Sequence, residues 1–321
     1  MRSATRMLQG WPPPLLDPAG PYAGSTTLLA WVLFGMGALV LLLVLAALWV
    51  ALFGRAEQRA KLGGPTLIWI GGVAFPVVVL SLLLVYGLSL TRSLSGPIRG
   101  DEMRVRVTGE MWWWRVAYLD GDRQPFLHDA NELHIPAGRP VVLELESADV
   151  IHSFWVPRLS GKLDMIPGRR NLMRIQADAP GVYGGQCAEY CGGPHALMGF
   201  TVIAHAPAEF ARLMQSRLRA SDASAPATPE AALGARLFQS TGCAACHRIA
   251  GTPANGLAGP DLTHVGSRRT LGAGILPNNR GTMMGWIGNS QAIKPGNRMP
   301  PYTVLSGEEL GALAAYLEKR K

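Results

Sequence analysis

Cys187-Ala-Glu-Tyr-Cys191-Gly-Gly-Pro-His195-Ala-Leu-Met198 places two thiols, an imidazole and a thioether in one short run. Soft sulfur donors beside an imidazole suit copper. The run leads into Phe200 to Ala204, where apolar and polar residues alternate as in a half-buried strand. Upstream, Ser147-Ala-Asp-Val-Ile-His152-Ser-Phe-Trp-Val-Pro157 carries a second imidazole just after another alternating run, Val141 to Glu146. Such runs, beginning with Val105 to Thr108 and broken by glycine and proline, predict an all-β sandwich or barrel between about residues 103 and 205. Two strand ends then bring both imidazoles to one loop. A mononuclear blue-copper site needs one cysteine, two histidines and a weak axial ligand, and here there are two cysteines. Two thiolates bridging a pair of copper ions, with His152 and His195 terminal and Met198 and a backbone carbonyl as weak ligands, use every donor. A tetrahedral Cys2His2 zinc site is the competing reading; it leaves Met198 without a role.

The remaining two cysteines lie in Cys243-Ala-Ala-Cys246-His247. In this CxxCH arrangement two thiols bond a haem's vinyl groups and the histidine takes the iron. Gly259-Pro260-Asp-Leu262 and Pro295-Gly-Asn-Arg-Met299-Pro-Pro-Tyr302 follow it. With them the segment resembles a class I cytochrome c, an all-α domain. The resemblance implies that His247 is the proximal ligand and that Met299, in its Met-Pro turn, is the distal one; Met283 and Met284 lack that context. Glu230 to Gln239 is apolar at helical spacing and leads into the motif, and Ser306-Gly-Glu-Glu309 has the form of a capping box opening a last helix. His264 reads as structural, as do most of Arg268, Arg269 and Arg280, one of which is a candidate to neutralise a haem propionate. Ser221 to Pro229 is small, polar and proline-containing, and reads as a semi-flexible linker.

The chain has 321 residues, 48% apolar and only 16% charged, so part of it belongs in lipid. No charged residue lies between Asp17 and Arg55, or between Lys61 and Arg92. Each gap exceeds the roughly 20 residues needed to cross a bilayer, which predicts two transmembrane α-helices near 28–53 and 67–91. A cleaved signal peptide is the weaker reading, because the first segment is too long for a signal h-region. Arg55, Arg59 and Lys61 against Glu57 put the connecting turn on the cytoplasmic side, and everything after Arg92 outside. Thiols there are normally oxidised, so a metal and covalent haem attachment would protect the two pairs. The net charge of +8 is scattered and reads as solvated surface; there is no nucleic-acid motif.

Cys187, Glu189, Cys191, His195 and Met198, with His152 in its Asp-Val-Ile-His-Ser-Phe-Trp-Val-Pro setting and Gly109-Glu-Met-Trp112-Trp-Trp114 upstream, closely resemble cytochrome c oxidase subunit II. The resemblance implies a cupredoxin fold behind two membrane helices, holding the dinuclear CuA centre. Cys187 and Cys191 would bridge the coppers, and His152, His195 and Met198 would ligate them. Glu189 would give its carbonyl to copper and its carboxylate to a magnesium ion shared with the catalytic subunit. Trp112 would sit over CuA where electrons enter, and Gly161 to Arg169 would face the catalytic subunit. Two departures stand out: Thr66-Leu-Ile precedes Trp69 where many members carry a glutamate at a proton entrance, and Gly71 and Gly72 displace the family's proline to Pro76.

The whole order resembles subunit II of oxidases that carry their own cytochrome. It implies an N-terminal external segment at 1–27, a helix hairpin at 28–92, a CuA domain at 93–219, a linker at 220–229 and a cytochrome c domain at 230–321. In function it implies an electron-input subunit in the bacterial inner membrane, with its copper and haem domains on the periplasmic side. Its haem would receive electrons from cytochrome c or a membrane cytochrome complex. They would pass through CuA to catalytic subunit I, with other subunits such as subunit III in the assembly; subunit I would reduce oxygen with proton pumping. The alternatives are the input subunit of a CuA-containing nitric oxide reductase, and a copper-delivery module, which has no need of CAACH.

Overall fold

A computed structural model of the chain describes residues 14–94, 96–98, 100, 102–219, 226 and 228–321. The chain forms two compact units, one over Gly24–Ile98 and the other combining the preceding residues with Arg99–Lys321. Most of the expected linker over 220–229, and the start of the expected external segment, lie outside the described residues.

The first unit is helical: α1 (Pro21–Phe53), the short α2 (Ala56–Leu62) and α3 (Pro65–Leu94). Helices α1 and α3 are long and apolar enough to cross a membrane. They are apolar all round, with Leu42, Leu43, Leu82 and Val85 exposed, the pattern of a helix meant for lipid rather than for a water-facing surface. Helix α1 starts at Pro21 rather than near residue 28, since a proline at the first helical position lacks only a donor that would go unpaired anyway. Where Gly71 and Gly72 precede Pro76, α3 loosens into a π turn over Ile70–Ala74. Pro76 has no N–H for the carbonyl four residues back, and such breaks in the ladder are where π turns form.

The second unit begins with ten strands: β1 (Met103–Glu110), β2 (Trp113–Leu119), β3 (Pro125–Ala130), β4 (Glu132–Pro136), β5 (Val141–Ser147), β6 (His152–Trp155), β7 (Lys162–Met165), β8 (Asn171–Ile175), β9 (Gly181–Cys187) and β10 (Gly199–His205). They make two five-stranded sheets, ordered β3-β2-β1-β5-β8 and β4-β10-β9-β6-β7. Pairing is antiparallel except for β1 with β5 and β4 with β10. The alternating residues Val105, Val107, Leu143 and Leu145 from one sheet meet Phe154 and Val202 from the other in a shared core. At the end of the core nearest His152, Trp114 meets Phe154 edge-on at 5.8 Å and Phe154 meets Phe200 at 5.0 Å, geometries that aromatic quadrupoles favour.

Helix α4 (Pro207–Arg219) closes the sandwich, and a helical domain follows: α5 (Pro229–Ser240), the single turn α6 (Cys243–Cys246), α7 (Arg280–Ile293) and α8 (Gly307–Leu317). Thr228 caps α5 by accepting from the Ala231 N–H at 3.1 Å. The expected capping box opens α8, with Ser306 and Glu309 each accepting from the other's N–H. Helices α5 and α8 cross so closely that a Cβ on Gly234 would lie 2.0 Å from the Ala312 carbonyl oxygen, so only glycine fits there.

The sandwich and the helical domain share buried polar contacts. Asp129 lies fully buried between Arg217 of α4 and Arg268 of the helical domain, the latter at 2.9 Å. Glu132 accepts from the Arg269 and Thr270 N–H groups at 2.6 and 3.2 Å. The Gly199 N–H donates to the Ala273 carbonyl at 3.0 Å.

Candidate metal centres

The two ends of β6 and β9 and the loop before β10 meet at one point. His152 opens β6, Cys187 ends β9, and Cys191, His195 and Met198 occupy the turn that returns to β10. Cys187 Sγ lies 3.8 Å from Cys191 Sγ and 3.8 Å from His152 Nδ1. Cys191 Sγ lies 3.4 Å from His195 Nδ1 and 3.8 Å from Met198 Sδ. The Glu189 carbonyl oxygen is 3.2 Å from Cys187 Sγ. His152, Cys187 and Cys191 offer ligand atoms that all lie within 4.8 Å of one another, His195 and Met198 extend the set from Cys191 and the Glu189 carbonyl from Cys187, and the sulfur separation is far beyond the roughly 2.05 Å of a disulfide. His152, Cys187, Cys191 and Met198 are all buried.

The electrostatics favour ionised sulfur. Hydrogen bonding from the Cys191 thiol, aided by His152, holds the Cys187 thiol down at about 4 against the effect of burial. The Cys191 thiol is in turn pushed up by its Cys187 neighbour, so the pair readily loses one proton and keeps the second until a cation arrives. A thioether 3.8 Å from the Cys191 sulfur is a soft donor that suits copper and that zinc has no use for. The donor set fits a pair of copper ions.

In the helical domain α6 carries Cys243, half-buried against the apolar core, and Cys246, exposed. His247 Nδ1 donates to the Pro260 carbonyl at 2.8 Å, which fixes the tautomer and leaves Nε2 free for iron. Gly259 and Gly256 permit this packing. A Cβ on Gly259 would lie 2.6 Å from the imidazole, and one on Gly256 2.5 Å from the Ala245 carbonyl carbon. Met299 is placed by its own turn: its N–H donates to Asn297 Oδ1 at 2.8 Å, and its carbonyl accepts from Gln291 Nε2 at 2.8 Å and Ser290 Oγ at 3.2 Å. Met283, by contrast, is a buried member of the apolar core. Partly buried Cys243, Leu262, Met299 and Tyr302 border that core, as residues that receive a haem would.

Residues 121–205 match the family model for the periplasmic domain of cytochrome c oxidase subunit II, and residues 231–321 match that for cytochrome c. The chain is 35% identical to cytochrome c oxidase subunit 2 of Alkalihalophilus pseudofirmus, over 95% of its own length and 90% of that relative's. The chain belongs to the cytochrome c oxidase subunit II family. It is 30% identical to the subunit 2 of Bacillus subtilis, over 77% of this chain and 72% of that one. The periplasmic domain of subunit II of the Bradyrhizobium japonicum cytochrome oxidase, a crystal structure, is 32% identical over 37% of this chain and 94% of its own, with a TM-score of 0.32. A subunit II with a cytochrome c domain implies CuA in the sandwich and haem c in the helical domain, the groups for which these two donor sets are fitted.

Around this subunit II copper site the structure adds residues that sequence reasoning passed over. His152 Nε2 is 2.8 Å from Asp149 Oδ1, so Asp149 orients the imidazole toward the thiols. Its signal was present, three residues ahead of His152. Trp112 packs on the loop that carries Cys191, its Nε1 donating to the Cys191 carbonyl at 2.8 Å. Arg298 of the helical domain reaches Asp149 Oδ2 at 3.3 Å. Lys294, also of the helical domain, is buried beside the Trp112 carbonyl; burial pushes its ammonium down to about 7, against the pull of Cys191. Arg268 is bonded to Asp129, and Arg280 to Glu230 and the Gly311 carbonyl.

Proposed function

We propose that the chain is the electron-input subunit of a respiratory haem-copper terminal oxidase in a bacterial inner membrane, with its metal centres on the periplasmic side. One observation supports this reading above the others: both donor sets lie in one compact unit, and Trp112, bonded to the Cys191 carbonyl, stands between the copper loop and the segment carrying Met299. Cys187 and Cys191 would bridge the copper pair, and His152, His195, Met198 and the Glu189 carbonyl would complete its ligands. Cys243 and Cys246 would carry the haem, and His247 and Met299 its iron. These groups supply one-electron chemistry. The protein positions them, keeps water from the buried sulfurs and offers Trp112 as the place of entry.

Electrons from cytochrome c or a membrane cytochrome complex would enter at the haem, pass to CuA and leave for catalytic subunit I, where oxygen is reduced to water and protons are pumped. Subunit III and further subunits complete the assembly in this reading. The Glu189 carboxylate would reach a magnesium ion shared with subunit I.

Purification of the chain with its native membrane partners tests the reading. Two copper ions and one haem per chain are expected, with paramagnetic resonance showing the hyperfine pattern of a delocalised mixed-valence pair. Met299→Ala is expected to abolish the near-infrared sulfur-to-iron band, which Met283→Ala retains. A single zinc ion or a mononuclear copper spectrum would overturn the site. A co-purifying nitric oxide reductase subunit would overturn the acceptor.

A further inference from the structure

Besides the Gly199–Ala273 bond, the helical domain meets the copper face of the sandwich through residues 294–299, the segment that runs from the end of α7 to Met299. Lys294 is 2% exposed, and its Nζ donates to three backbone carbonyls: Trp112 at 2.6 Å, Leu197 at 2.8 Å and Gly272 at 3.0 Å. An ammonium has three N–H donors and a neutral amine two, so three acceptors describe the charged form. The three carbonyls come from separate places. Trp112 bonds Cys191, Leu197 lies between His195 and Met198, and Gly272 belongs to the helical domain itself. Gly296, two residues on, has φ of +84°, and a Cβ there would lie 3.7 Å from the Trp112 ring. The segment therefore rests on the indole, and beyond it Arg298 reaches Asp149, the partner of His152.

A buried charge without a carboxylate beside it is costly unless every donor is matched. Lys294 meets that condition only while the two domains are in contact, because two of its three acceptors belong to the sandwich. On separation those two are lost and the cation returns to water. The residue thus favours one arrangement, with the Met299 segment seated on Trp112. A charged side chain used only for solubility would have no reason to be there.

We propose that Lys294 is the positioning residue for electron transfer between the haem and the copper pair: its ammonium fastens the Met299 segment to Trp112 and to the His195–Met198 turn, so that the two centres exchange electrons across a preformed contact. The proposal rests on the relay described under Proposed function. The step moves one electron, from a ferrous haem that becomes ferric to an oxidised copper pair that becomes reduced by one. No bond is made or broken, and the step itself moves no proton.

The test uses the full chain in its membrane complex and reads two quantities. One is amide exchange at Gly199, Arg269 and Thr270, whose N–H groups donate across the domain boundary. The other is haem-to-copper transfer after flash photoreduction. Lys294→Met keeps the apolar stem and removes every donor. Hydrogen bonds to a charged group are each strong enough that losing one or more shifts the docking equilibrium about tenfold or more. Exchange at the three amides is expected to rise by that factor, and transfer to slow and become sensitive to solvent viscosity, while the copper and haem spectra stay unchanged. Lys294→Arg, which keeps the charge, is expected to recover part of both. Unchanged exchange and unchanged transfer in Lys294→Met overturn the proposal. If Lys294→Met does not load its metals, Lys294→Gln, which keeps two donors, is read in the same way; failure of both variants to load overturns the proposal, since Lys294 is then needed for folding itself. If the parent shows no haem-to-copper transfer while Lys294→Met still raises exchange, the relay fails and the fastening stands.

Discussion

Four of the copper donors are buried within the sandwich core, whereas the haem donors are half-buried or exposed in a small helical domain. Cys187, Cys191, His152 and Met198 are each at most 4% exposed, while Cys246 is exposed and Cys243, His247 and Met299 are half-buried. The difference follows from what carries them. Strand ends of two packed sheets hold the copper set, so the core that folds the sandwich also aims its ligands. A single helical turn and glycine-lined loops hold the haem set, around a core that Cys243, Met299 and Tyr302 only border. One domain builds its site out of its own core; the other needs its prosthetic group, and its neighbour, to finish one.

The sharpest way to break that contrast is to remove each group in turn. Replacing Cys243 and Cys246 by alanine prevents haem attachment, and residues 229–321 are expected to lose protection from amide exchange altogether, as domains completed by a bound group do. Cys191→Ser should abolish the signal of the copper pair yet lower the stability of the sandwich by only about 1–3 kcal/mol, the cost of a poorly matched buried polar group. Equal protection of the helical domain with and without haem would refute the contrast.

A second measurement sharpens it at the boundary between the domains. Burial first, and then the charge of Asp129, raises the Glu132 carboxyl from 4.5 to about 7, although the Arg269 and Thr270 N–H groups pull it down. Because the folded state holds this proton more tightly than the unfolded chain, stability from Glu132 is complete below about pH 4.5 and declines as pH rises toward about 7, by on the order of 3 kcal/mol. Glu132→Gln retains the acceptor oxygen and should remove the decline. Urea unfolding of parent and variant below about pH 5 and above about pH 8 checks this; parallel pH dependences would sink the assignment.

The smallest expected effect lies behind the copper site. Asp149→Ala leaves all six donors in place but frees His152 Nε2 from its 2.8 Å bond. Loss of such an outer partner weakens metal affinity about 10–100-fold. Competition with a chelator measures it, and an unchanged affinity would mean that the sheet alone aims His152.

Much of this protein was legible in its sequence because the relevant signals are local. The charge-free gaps mark α1 and α3 because lipid excludes charge along a whole span. Cys187 to Met198 could be read as a donor set because a turn of twelve residues brings its own members together. The Gly259-Pro260 motif could be noticed because it follows CAACH closely, although only the structure shows that the Pro260 carbonyl accepts from His247 Nδ1. What the tertiary structure decided is the joint between the two domains. Arg268 meets Asp129 across 139 residues, and Lys294 meets Trp112 across 182. In a sequence a lone lysine, arginine or aspartate has solvated surface as its default reading, because water satisfies a charge at no structural cost. Only the fold shows that these few are buried, and that each is matched by acceptors or an opposite charge that the folded chain alone brings within reach.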